Sequence, residues 1–151
     1  MVNYSFNSFG EDMARAYGRD LSISTKKSVE ICKAIRGKSV ENAKIYLQNV
    51  ADIKAAVPMT KFHRDCAHRT GIGPGRYPVK AAEGILLILE SAEQNAKSKG
   101  FSTKDLFIIH VCAHKASSPW HMGRQRRRHM KRTHIEIVVQ EKKTGKVVKN
   151  D

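Results

Sequence analysis

The chain has 151 residues, a length typical of one domain with a modest hydrophobic core. Hydrophobic residues make up 40% of it, which excludes a wholly disordered protein. Lys and Arg number 28 against 14 Asp and Glu, giving a formal net charge of +14, and such an excess is usually balanced by a polyanionic partner. The candidate partners are nucleic acid and an anionic membrane.

A membrane-spanning segment is not predicted. The longest apolar run, Ile85 to Leu89, is far below the roughly 18 residues that a spanning helix needs. The first five residues lack the basic region and apolar stretch of a signal peptide. We therefore expect a cytoplasmic protein whose cysteines, Cys32, Cys66 and Cys112, are reduced thiols.

The first half of the chain predicts two helices after a weakly patterned extended segment within residues 13–23. Ser24 can cap a helix that runs through Arg36 and is closed by Gly37. A second helix is predicted from the cap Ser39 to about residue 54, and Pro58 prevents further extension.

A third, longer helix has the strongest pattern. Pro78 suits the first helical position, and Gly100 suits the residue just past the end. Apolar residues recur between these limits at helical spacing and form one broad face. The face consists of Ala82, Ile85, Leu86, Leu89, Ala92 and Ala96.

After Gly100 the pattern changes to the alternation of β-strands. Residues 106–115 predict a strand with Phe107, Ile109, Val111 and Ala113 on one side. In a second strand, the pattern places Ile135, Ile137 and Val139 inward and His134, Glu136 and Gln140 outward. The predicted fold is a single α+β domain over residues 1–151, with three helices packed on a small antiparallel sheet of about three strands. No element is predicted for the tail, residues 142–151.

The connection between these strands is much longer than an ordinary hairpin loop. We define residues 115–132 as the arm, and predict that it is a long, extended, basic β-hairpin that reaches RNA. Arginine binds phosphate bidentately, and Trp120, the only tryptophan, offers a planar face to unpaired bases. The basic residues here, with no acidic residue among them, are Arg124, Arg126, Arg127, Arg128, Lys131 and Arg132. The alternative is a solvated loop that only keeps the protein soluble.

Two helix starts favour the same partner. Lys26 and Lys27 lie where positive charge opposes the helix dipole, an arrangement that a bound phosphate would relieve; two solvated lysines are the alternative. The glycine-rich segment 71–80 places Arg76 and Lys80 at the start of the long helix, and is either a turn that contacts RNA through its backbone or a plain connector. Upstream, Lys61, Arg64 and Arg69 add positive charge.

Catalysis and metal binding are the weaker interpretation. Cys66-x-His68 and Cys112-x-His114 each resemble half a zinc site, but neither has the two-residue gap typical of structural zinc. Acidic residues are scarce in the basic segments, so a carboxylate-bound metal centre has few ligands. We expect no catalytic residue, metal or cofactor. The rival hypothesis is a stand-alone nucleic-acid-binding protein or RNA-processing enzyme that uses the same basic loop.

Several strings of the sequence resemble the ribosomal protein L-twenty-two family in its archaeal and eukaryotic branch, with an archaeal leaning. The most specific are Arg15-Ala16-Tyr17-Gly18-Arg19-Asp20-Leu21, Ile35-Arg36-Gly37-Lys38, Gly75-Arg76-Tyr77-Pro78-Val79-Lys80-Ala81-Ala82 and Thr133-His134-Ile135-Glu136-Ile137-Val138. They occur in family order along nearly the whole chain. The main departure is in the arm, where the residues before Gly123-Arg124 are fewer, and the arginines denser, than the family pattern has.

The resemblance implies a structural protein of the large ribosomal subunit, with helices on a three-stranded sheet and one extended hairpin. It implies that the body binds large-subunit rRNA through Lys26, Lys27, Arg76 and Lys80. The arm would bind rRNA through Lys115 and the basic residues from Arg124 to Arg132. Its tip, Trp120, His121, Met122 and Gly123, would line the exit tunnel and meet the nascent peptide. Neighbouring ribosomal proteins would be further partners.

Overall fold

The computed structural model describes residues 4–8 and 10–142. Within these ranges the chain forms three α-helices and six short or medium strands. The elements are β1 (Met13–Leu21), α1 (Thr25–Ile35), α2 (Val40–Ala51), β2 (Val57–Pro58), β3 (His68–Arg69), β4 (Gly73–Arg76), α3 (Val79–Ser98), β5 (Leu106–Lys115) and β6 (Thr133–Glu141). Of the predicted tail, only Lys142 lies inside the described residues.

All three predicted helices are confirmed, with small differences at their ends. The Ser39 side chain caps α2 by accepting a hydrogen bond from the backbone nitrogen of Asn42, as predicted. Ser24 occupies the cap position of α1, but its side chain makes no capping hydrogen bond. Gly100 follows α3 with φ +82°, a left-handed conformation that glycine adopts without strain.

The predicted three-stranded antiparallel sheet is also confirmed, in the order β1-β6-β5. The weakly patterned segment near the N-terminus is its edge strand β1. Helix α3 packs on β1 and β6, and α1 packs on β5. Fully buried side chains such as Ile31, Leu89 and Ile137 fill the space between the helices and the sheet.

The prediction of which side chains of β5 face the core is wrong in the first half of the strand. The register with β6 shifts between Ile108 and His110, which marks a β-bulge. Before the bulge, Leu106 and Ile108 are buried instead of their neighbours Phe107 and Ile109. After it, Val111 faces the core as predicted, because one extra residue in a strand exchanges its two faces.

Glu136 was predicted to point outward, and in the structure it is only 3% exposed. It does lie on the face of β6 away from the helices, where the N-terminal segment covers it. Ser5 donates two hydrogen bonds to Oε2 of Glu136, from its backbone nitrogen at 3.0 Å and its hydroxyl at 2.7 Å. The covering segment precedes β1 and carries no strand or helix pattern, so the alternation of β6 alone gave no sign of it.

A second three-stranded sheet, in the order β2-β4-β3, was not predicted. Its strands have only two to four residues and include prolines and glycines, so they lack an alternating pattern. The glycine-rich segment before α3 is therefore partly a strand and not only a turn or connector. A Cβ at Gly75 would lie 2.9 Å from Cγ of Arg69, so a larger residue here would force the Arg69 side chain to shift.

Candidate nucleic-acid interface

The base of the arm is fixed to the chain just before α1. The buried hydroxyl of Thr133 donates a hydrogen bond to the carbonyl oxygen of Ile23 at 3.0 Å, and lies 2.8 Å from the hydroxyl of Thr25. Arg132 donates from Nη1 to the carbonyl oxygen of Asp20 at 3.0 Å. These contacts place the base of the arm beside the N-terminus of α1.

Beyond the strands the arm continues as an irregular hairpin. The backbone nitrogens of Ala116 and Met130 donate to the carbonyl oxygens of Arg132 and Pro119 at 3.2 and 2.8 Å. A single 3-10 turn, Gly123–Gln125, reverses the chain. Gly123 has φ +64°, a value that favours glycine at this turn.

The residues predicted for the tip are all exposed, and Met122 is 90% exposed. Trp120 is 56% exposed although its ring stacks on His129, with 3.5 Å between ring centroids. His121 donates from its backbone nitrogen to the carbonyl oxygen of Arg128 at 2.9 Å.

The arginines of the arm are available to a ligand. Arg124, Arg126, Arg127 and Arg128 are exposed, and within the described residues none of them forms a salt bridge with a carboxylate. Arg126 donates from Nε to the carbonyl oxygen of Gly123 at 3.3 Å, a contact that leaves its remaining guanidinium donors available. The predicted cluster of unpaired positive charge is therefore present.

Four depressions, the largest of about 610 Å³, share lining residues, and we call the surface that they form together the basic groove. Lys131 lines three of them, and Lys27 joins two. No aspartate or glutamate is among the described residues that line the groove. Its cations are Lys26, Lys27, Arg69, Arg76, Lys80, Lys115, Lys131 and Arg132. The structure thus brings together most of the predicted body residues and the base of the arm.

Two helices open onto this groove with free N-termini. Neither α1 nor α3 has a side-chain cap or an acidic residue in its first turn. Helix α2, which starts elsewhere, has both, in Ser39 and Glu41. The uncapped backbone N–H groups and the positive dipole ends of α1 and α3 therefore add to the charge of the lysines beside them.

Two predicted residues, Lys61 and Arg64, do not line the groove. Lys61 and Lys26 lie on the ring of Phe62, with Nζ at 5.6 and 5.8 Å from its centroid, so Phe62 connects Lys61 to the groove's edge. Arg64 is exposed and donates from Nε to the carbonyl oxygen of Thr60.

Glu30 is a residue of this region that the sequence reasoning missed. It is 1% exposed and accepts hydrogen bonds from the backbone nitrogens of Thr60, Lys61 and Phe62 at 3.2, 2.8 and 2.6 Å. Burial raises the pKa of Glu30, but these hydrogen bonds outweigh burial and hold the pKa below its usual value. The only signal in the sequence was a carboxylate next to the apolar stripe of α1.

The described residues offer little to metal chemistry. No group of three or more His, Cys, Asp or Glu side chains among them is arranged to hold a metal ion. His114, considered above as part of half a zinc site, lies 3.3 Å from the carboxylate of Glu136, and His110 lies 3.5 Å from the same carboxylate. Among these same residues, no helix combines the length and the apolar character needed to cross a membrane.

An α+β domain that combines a cationic groove, two free helix N-termini and an arginine-rich arm has the features of a nucleic-acid-binding protein. The chain belongs to the family described as ribosomal protein L22p/L17e, whose family model matches residues 16–140. This family is one of ribosomal proteins and not of enzymes, which confirms the resemblance seen in the sequence.

Three archaeal relatives match nearly end to end. The chain is 38% identical over 144 residues to the large ribosomal subunit protein uL22 of Thermofilum pendens, covering 91% of this chain and 95% of that protein. It is 40% identical over 148 residues to the protein of the same name in Methanoculleus marisnigri, covering 93% and 97%. The corresponding Methanopyrus kandleri protein is 41% identical over 141 residues, covering 87% and 89%.

Proposed function

We propose that this protein is a structural constituent of the large ribosomal subunit that binds large-subunit rRNA through the basic groove and the arm. The observation that carries the proposal is the groove itself, a set of depressions with shared lining residues that include eight cations and no carboxylate among the described residues. The relatives are named as large ribosomal subunit proteins, and the chain covers almost their whole length.

The groove suits the phosphate backbone of a folded RNA. Lysines and arginines attract phosphates and release their counterions, which supplies most of the affinity. The N-termini of α1 and α3 add backbone N–H donors, a frequent way of binding phosphate oxygens. In this arrangement the unfavourable position of Lys26 and Lys27 is relieved, because a phosphate lies between the lysines and the helix dipole.

The arm would extend the contact beyond the groove. Arg124 and the run Arg126 to Arg128 would bind rRNA, and the tip, Trp120 to Gly123, would line the peptide exit tunnel, as in the family resemblance. The exposure of the tip residues supports this role. Neighbouring ribosomal proteins and the nascent peptide would then be further partners, and the protein would reside on cytoplasmic ribosomes.

The test is sucrose-gradient fractionation of native lysate, with the protein followed at low and high salt. We expect stoichiometric co-migration with the large subunit that survives a salt wash, because many phosphate contacts act together. A protein that stays at the top of the gradient, or leaves the subunit at modest salt, would contradict the proposal.

A further inference from the structure

Trp120 is largely exposed although it has an aromatic partner. Its ring lies against His129, with centroids 3.5 Å apart and planes inclined by 32°. Even so, 56% of the residue remains exposed. Stacking on His129 therefore supports the indole without enclosing it.

The pair is held in place by the arm's own backbone. Trp120 and His129 form an antiparallel bridge, and the hydrogen bonds from His121 to Arg128 and from Met130 to Pro119 lie on either side of it. The ring of His129 is fixed in turn, since its Nδ1 lies 2.9 Å from the carbonyl oxygen of Ser118. The aromatic surface is thus preorganised, which lowers the entropic cost of binding a planar ligand.

The surroundings of the pair select the kind of planar ligand. Arg124, Arg126, Arg127 and Arg128 follow Trp120 in the same hairpin, all exposed and none paired with a carboxylate in the described residues. A flat apolar face in the same hairpin as several exposed guanidinium groups fits a ligand with a planar ring on a polyanionic backbone. Single-stranded RNA has planar bases on a polyanionic backbone, whereas an ordinary peptide has neither a regular series of planar rings nor a polyanionic backbone.

We propose that Trp120 and His129 form a stacking site for one unpaired RNA base, with Trp120 contacting the base and His129 supporting Trp120. The arm would then hold RNA by base stacking at this point, in addition to the phosphate contacts of its arginines. This inference rests on the proposed function, since it requires the arm to meet RNA. Within the tip, the inference assigns Trp120 to RNA and Met122 to the tunnel lumen.

Because Trp120 is the only tryptophan, its fluorescence reports directly on this site. The experiment titrates the full chain with oligoadenylate of about 12 nucleotides, a length within the usual range for single-strand sites. A matched abasic oligomer has the same phosphates without bases. We expect oligoadenylate to quench the emission and to bind more tightly, while the abasic oligomer binds without quenching.

Substitutions identify the residue responsible, and the affinity of every variant for both oligomers is measured by filter binding because the Trp120 variants have no tryptophan emission. Trp120→Ala should weaken oligoadenylate binding about 5- to 150-fold, the range for loss of one stacked base, and leave abasic binding nearly unchanged. Trp120→Phe should retain most of the preference because it keeps an aromatic ring. Met122→Ala, an apolar change at a more exposed position of the same hairpin, is the control and should alter neither affinity.

The outcomes separate this inference from the proposed function. If wild-type protein binds both oligomers equally and its emission does not change, base stacking is excluded while ribosome association stands. If Met122→Ala reduces the preference as much as Trp120→Ala does, the site is a general apolar surface and the inference is wrong. Absence of the protein from large subunits in the sucrose gradient would overturn the proposed function, whatever the oligomers do.

Discussion

The carboxylate of Glu30 on α1 accepts a hydrogen bond from the backbone nitrogen of Phe62, 2.6 Å away in the loop between β2 and β3. Thr60 and Lys61 donate to the same carboxylate. Through these bonds, a residue of the core determines where Lys61 and Phe62 lie beside the basic groove. Glu30 therefore links the stability of the domain to the shape of its candidate interface.

We predict that Glu30→Ala destabilises the protein by about 2–4 kcal/mol, because it leaves three backbone N–H groups without their charged acceptor. The amide protons of Thr60, Lys61 and Phe62 should also exchange with solvent faster than in the wild type. Urea unfolding and hydrogen exchange measure the two effects. Glu90→Ala, an exposed position on α3, is the matched control and should change neither.

The close packing of α3 against β1 gives a second prediction. Gly18 on β1 is buried, and a Cβ there would lie 2.8 Å from both Cγ1 and Cδ1 of Ile88 on α3. Gly18→Ala should therefore destabilise the fold by about 1–3 kcal/mol, the usual range for overpacking. Gly10→Ala is the control, since its Cβ would have only Cε of Met13 nearby, at 3.9 Å.

A double-mutant cycle tests the cause of that effect. Ile88→Ala removes both crowded atoms, so Gly18→Ala should cost less in the Ile88→Ala background than in the wild type. Urea titration gives the free energies of unfolding of the wild type, the two single variants and the double variant. Equal costs in the two backgrounds would mean that the backbone of β1, and not contact with Ile88, requires the glycine.

Local sequence patterns predicted those parts of the fold that depend on local periodicity. The spacing of Ile85 and Leu89 predicts α3 because helical neighbours are close in sequence, and β5 has the bounds that its alternation predicts. The bulge after Ile108 could not be predicted, because the run Leu106 to Ile109 is apolar at every position and fits either phase.

The residues of the candidate site could be predicted from the sequence, but the surface that they form together could not. The charges of Lys26, Lys80 and Lys131 are visible in the sequence, yet their common groove depends on contacts between distant segments, such as Thr133 with Ile23. The role of Glu30 likewise depends on a partner loop about thirty residues away. No periodicity within one element reports such pairings.

The buried carboxylate of Glu136 predicts a pH dependence. Burial raises its pKa, but the hydrogen bonds from Ser5 and the neighbouring imidazoles of His114 and His110 outweigh burial and hold the pKa below its ordinary value of 4.5. The phenols of Tyr4 and Tyr17 also lie near this carboxylate. Folding thus favours ionised Glu136, and its contribution is present above pH 4.5 and lost as the pH falls through the native pKa.

We expect the free energy of unfolding to fall less steeply with acidification in Glu136→Gln than in the wild type. Urea titrations at a series of values between about pH 3 and pH 7 give the two curves. Some acid dependence should persist in the variant, because the pKa values of Glu30 and Glu93 are also lowered in the folded state. Glu90→Gln should follow the wild-type curve, and identical slopes for Glu136→Gln would contradict the assignment.

The arginines of the arm predict how binding to rRNA depends on salt. Each phosphate that a protein neutralises releases counterions and steepens the fall of affinity with salt by about 0.7 to 0.9 units. Replacing Arg126, Arg127 and Arg128 with alanine should therefore reduce the slope by about two units. Filter binding to a fragment of large-subunit rRNA over a salt series measures it.

The control for the arginine variant removes the same charge outside the groove, by replacing Lys54, Lys97 and Lys104 with alanine. Lys54 and Lys97 already form salt bridges with Asp52 and Glu93, and Lys104 is exposed after α3. If only net charge attracts RNA, both triple variants should weaken binding alike, with similar slopes. If the arm contacts phosphates, only the arginine variant should lose slope, because counterion release counts the phosphates in contact and not the total charge of the protein.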